Sequence, residues 1–82
     1  MPQTDDPSVE KRIEKDIRSF YSNLEALGKP PGGVKAAKVV ELAKMYASDA
    51  KSYLEKKDLY TSFSCISYAH GLLDALKGIS GD

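Results

Sequence analysis

A single cysteine, Cys65, occurs in the 82 residues. That excludes an internal disulfide and a thiolate metal centre built by this chain alone, and it favours a reducing compartment. Charge of one sign is missing as well, because twelve Lys plus Arg balance twelve Asp plus Glu. The balance removes the compositional case for nucleic acid or anionic lipid, both of which attract proteins through surplus basic residues. No run of about 18 apolar residues is present to cross a bilayer. The opening Met1-Pro2-Gln3-Thr4-Asp5-Asp6 is polar and acidic, unlike a secretory leader, so the expected location is cytoplasmic. A glycine-rich phosphate loop is also lacking: Gly32-Gly33 follows two prolines and no Lys-Ser/Thr follows it, which argues against a nucleotide site.

What remains is an ordinary folding composition, with 41% hydrophobic and 29% charged residues. A chain of this length makes one small domain that buries only roughly 60% of its unfolded surface, so a partner surface would add stability.

Asp6-Pro7 is a helix-start signal, since Asp caps free N–H groups and Pro fits the first helical position. Val9, Ile13, Ile17, Phe20, Leu24 and Leu27 then recur every three or four residues, one apolar stripe roughly 80° wide. The reading is a first helix over about 7–27, with Gly28 as its left-handed cap and 28–33 as loop. The second helix is expected over about 34–56, where the apolar residues span roughly 160° and face two neighbours. Ala43, Ala47 and Ala50 lie near the middle of that arc and let another helix approach closely. Lys56-Lys57-Asp58 reads as a turn with Asp58 as N-cap, and a third helix follows over about 59–77, closed by Gly78. The fold class is therefore all-α: an up-down-up three-helix bundle, one domain over 1–82, with helices 2 and 3 forming a long hairpin.

The third helix differs in kind. The fifteen residues from Leu59 through Leu73 contain no Asp, Glu, Lys or Arg. Its apolar arc of roughly 240° asks for more cover than two neighbouring helices provide. That leaves two readings: a contact with a second copy or another protein, or a mildly polar exposed face made by serines and Gly71. On the first reading the interface residues are Ala43, Ala47, Ala50, Phe63, Ile66 and Leu73.

Chemistry is sparse. Cys65 and His70, five apart on one helix, point about 140° away from each other and cannot form a nucleophile and base pair. His70 and Asp74 are four apart and share a face, so Asp74 either orients His70 or the two supply two ligands of a metal site that lacks a third. Asp49 lies between Tyr46 and Tyr53, and with Tyr68, His70 and Asp74 these make the candidate ligand-binding set between helices 2 and 3, against the alternative of amphipathic packing. Lys11, Lys15 and Arg18 form the one basic strip, diluted by Glu10, Glu14 and Asp16, which reads as a solvated face rather than a nucleic-acid site. The expectation is no catalysis, no metal, no cofactor, no nucleic acid and no membrane, and a partner, itself or another protein, held through helix 3.

Tyr46-Ala47-Ser48-Asp49-Ala50, Tyr53-Leu54-Glu55-Lys56-Lys57-Asp58 and Ser67-Tyr68-Ala69-His70-Gly71-Leu72-Leu73-Asp74-Ala75 together resemble a small archaeal family known as domain of unknown function 357. The likeness covers the last two helices. Lys57 departs from it, since such turns often carry Gly before the Asp, as does Ser62, where Ala is common. The resemblance implies an archaeal all-helical protein with no assigned activity. The same half also resembles a tetratricopeptide-type hairpin and a microtubule-interacting-and-transport type of bundle, both of which imply protein contact.

Overall fold

Pro7 occupies the first position of a helix, where its missing N–H costs nothing, and α1 runs from there to Leu27 (Pro7–Leu27). Two further helices follow, α2 (Gly33–Glu55) and α3 (Leu59–Ser80). The computed structural model describes residues 7–29 and 32–80, all of it helix and short connections. Asp6, expected as the cap of α1, lies outside the described residues.

At the end of α1, Gly28 adopts φ 64° and its N–H donates to the Leu24 carbonyl at 3.3 Å. A side chain there would pay the left-handed penalty that glycine avoids. The turn between α2 and α3 is built more tightly. The Asp58 N–H donates to the Tyr53 carbonyl at 2.9 Å and the Lys57 N–H to the Leu54 carbonyl at 3.0 Å. This is the Schellman pairing, and its left-handed residue is Lys57 at φ 64°. The position where the family pattern favours Gly is thus the one that needs a left-handed backbone. Asp58 then turns to α3: its side-chain Oδ1 accepts the Thr61 N–H at 3.2 Å, the N-cap bond expected from sequence. One residue therefore closes α2 with its amide and opens α3 with its carboxylate.

α3 runs past Gly78 to Ser80, three residues beyond the expected end. Gly78 has no left-handed φ and so does not cap. A glycine inside a helix is disfavoured by only about 1 kcal/mol relative to Ala, which does not stop it.

Packing follows the predicted stripes. From α1, Ile13, Ile17 and Phe20 are buried; Val9, at its start, stays 41% exposed. Each of those three side chains contributes about 1.5–3 kcal/mol by leaving water. Ala43, Ala47 and Ala50 of α2 are fully buried against Ile66, Ala69 and Leu73 of α3 in one cluster. With methyl groups at the seam the two backbones approach closely, and α2 and α3 form the tightest pair; α1 leans more on α3 than on α2. A second cluster of Ala36, Val40 and Leu76 closes the other end. The product is an elongated three-helix bundle, 46 × 18 × 16 Å. Inside it Ser62 is fully buried, and its hydroxyl donates to the Ala50 carbonyl at 2.7 Å, tying α3 to α2.

Candidate functional site

The six residues expected to bind a ligand divide between two seams. At the α2–α3 seam the rings of Tyr46 and Tyr68 meet edge to face, centroids 4.6 Å apart, with Tyr68 51% exposed. Asp49 is half-buried on the rim nearby. Tyr53 sits a turn or two further along, with the Lys56 ammonium 5.2 Å from its ring centre.

His70 turns the other way. Its Nε2 lies 2.8 Å from the Asp16 carbonyl oxygen on α1. A carbonyl can only accept, so Nε2 carries a proton and donates. The ring also packs its edge on Phe20, centroids 5.8 Å apart at 89°, and Phe20 in turn meets Tyr21 edge to face at 5.2 Å. The expected pairing of His70 with Asp74 is replaced by this contact. The i, i+4 spacing put both on one helix, but α1 offers the imidazole a nearer acceptor, and Asp74 is left exposed to water. Among the described residues no group of three or more His, Cys, Asp or Glu is placed to hold a metal ion.

Cys65 is a free, half-buried thiol. Burial pushes its pKa above the ordinary value, and the charges of Asp49 and Asp58 push it the same way. That is the opposite of the depressed pKa an activated nucleophile needs.

The interface residues sort as sharply. Ala43, Ala47, Ala50, Ile66 and Leu73 are all at 0% exposure, so their apolar surface is spent on the chain's own core. The α2 alanines do admit a close neighbour, and that neighbour is α3. Phe63 alone of the six is open, at 48%.

What stays open on α3 is a face the candidate set missed. Tyr60, Ser64, Ser67, Gly71, Asp74 and Gly78 are all exposed. They recur at spacings of four, three, four, three and four, the repeat of a helix-pairing seam. Tyr60 at its head is 82% exposed, and Phe63 and Tyr68 stand on either side. The signal was legible as the uncharged sector of α3; arc width alone did not say which part of it the other helices cover.

Two shallow grooves run instead along the α1–α2 seam, one lined by Leu24, Gly28, Val40 and Lys44, the other by Glu14, Arg18, Lys51 and Glu55. Their rims carry both charges, and neither groove includes the six candidate ligand residues. No helix among the described residues is long and apolar enough to cross a membrane.

Residues 13–80 match a family model described as protein of unknown function (DUF357). The match takes in α1 from Ile13 onward, so it reaches well beyond the last two helices that carried the resemblance. No curated protein matches the chain.

Proposed function

Because the chain belongs to the DUF357 family, whose description assigns no activity, we propose from the geometry that it is a helical protein–protein interaction module of the cytoplasm, non-enzymatic, docking through the outer face of α3. The observation that carries this is the exposed seam headed by Tyr60 and flanked by Phe63 and Tyr68, free of charge as far as Asp74. A face left to water gains nothing from excluding charge over fifteen residues. A face that is covered does, since a buried unpaired charge costs several kcal/mol. Aromatic residues are also enriched at docking surfaces.

The test is photo-crosslinking in cells. A benzoylphenylalanine placed at position 60 is expected to form discrete adducts, while the same group at Lys15, exposed on α1, is expected to form none. Equal yields from both positions, or no adduct from position 60, would refute the docking face.

A further inference from the structure

Resting on that reading of the α3 face, we infer that its occupant is a second copy of the chain, the two α3 helices pairing antiparallel about a two-fold axis with Tyr60 of each copy seated over Gly71 of the other.

Shape selects the partner. The seam carries its bulk at one end and its hollow at the other. Tyr60 stands 82% exposed in the first turn of α3. Three turns on, the site of a Cβ on Gly71 has no atom within 4 Å, and the same holds at Gly78. Ser64 and Ser67 between them are small. A reversed copy places bulk over hollow at both ends at once, the self-complementarity that a two-fold contact requires. Small residues along the line of contact let the two backbones close up.

Charge selects the same direction of pairing. Asp74 is exposed on the seam near the end of α3. An antiparallel copy keeps the two Asp74 carboxylates at opposite ends of the contact. Parallel pairing would instead oppose Asp74 to Asp74 and Tyr60 to Tyr60. Antiparallel helix dipoles add to the preference.

Area sets the strength. Tyr60, Phe63 and Tyr68 are 82%, 48% and 51% exposed. At the usual area of an aromatic side chain they leave roughly 350 Å² on show per copy, roughly 700 Å² for two. With the small residues between them the contact falls at or below the low end of specific interfaces, which makes it weak and concentration-dependent.

The experiment is sedimentation equilibrium of the full chain from about 10 μM to about 1 mM, the range in which a contact of this size associates. The wild type is expected to rise from 9.0 kDa toward twice that mass. Gly71→Glu fills the hollow, and Tyr60→Lys removes the bulk. Both positions are open in the single chain, so both variants are expected to keep wild-type helicity by circular dichroism. Each is expected to weaken association at least tenfold. A wild type that stays at 9.0 kDa throughout, or a dimer indifferent to both Gly71→Glu and Tyr60→Lys, overturns the pairing. A monomeric wild type whose position-60 crosslinker captures a chain of another mass overturns the second copy and keeps the docking face. No adduct from position 60 removes both.

Discussion

The Lys57 Nζ lies 2.6 Å from Glu10 Oε2, joining the α2–α3 turn to the first turn of α1 across forty-seven residues of chain. The same lysine carries the left-handed backbone of the Schellman turn. Its position is set by the backbone, and its identity gives α1 a tether that glycine lacks.

The two roles separate in a pair of variants. Lys57→Ala and Lys57→Gly both lose the ammonium, so the difference between them isolates the backbone. The glycine variant is expected to be the more stable of the two by about 1 kcal/mol, because a Cβ is penalised at φ 64°. Urea denaturation reads this directly, and equal midpoints would show that the turn relaxes on substitution.

The tether also predicts an alkaline limit. Its hydrogen bond to Glu10, then the Glu10 charge, hold the Lys57 ammonium above the ordinary value of 10.5. A pKa raised by folding means the pair contributes fully below the unfolded value and is lost as pH climbs through the folded one. Stability is therefore expected to decline above pH 10.5 more steeply in the wild type than in Lys57→Met. Parallel curves for the two would contradict the tether.

Ser62→Ala tests the buried hydroxyl. The Ala50 carbonyl keeps its place in α2 when the serine is lost, so no group is orphaned. The expected cost is that of one net hydrogen bond, about 1 kcal/mol. A loss beyond about 3 kcal/mol would mean that the hydroxyl holds more than this one contact.

Ala47→Leu tests the close approach of α2 and α3. Ala47 is fully buried, and the larger side chain must push the helices apart. The expected loss is about 1–3 kcal/mol by thermal or urea denaturation. A neutral result would reveal slack at a seam that the structure closes.

Cys65 offers a chemical probe of the fold. Its raised pKa keeps the thiol protonated in the native state beyond the ordinary 9.0. Alkylation by iodoacetamide at pH 8 is expected to be slower in the folded protein than in the urea-unfolded chain. Rates that coincide would place the sulfur in open water.

The helices were legible because their signals are local. Ile13, Ile17 and Phe20 repeat with the helical period, Gly28 and Asp58 are terminus residues, and all five act as read. What depended on neighbours was not legible. The histidine's partner lies fifty-four residues away, at Asp16, and no spacing within α3 points there. Ile66 and Leu73 were read as facing a partner, because arc width gives how much of a helix is apolar and not which helix covers it. Tyr60 shows the same limit: it lies in the uncharged stretch from Leu59 through Leu73, but its exposure is a property of the assembled bundle.

α1 is held by Phe20 and its neighbours against α3, by the histidine on Asp16 and by the lysine tether, while its border with α2 stays open as two grooves. Stability in such an arrangement is graded. The α2–α3 hairpin, closed by alanines and one buried hydroxyl, is expected to be the unit whose amides exchange with solvent most slowly. The first helix, packed less closely on that unit, is expected to open at lower cost, so its amides are expected to exchange first.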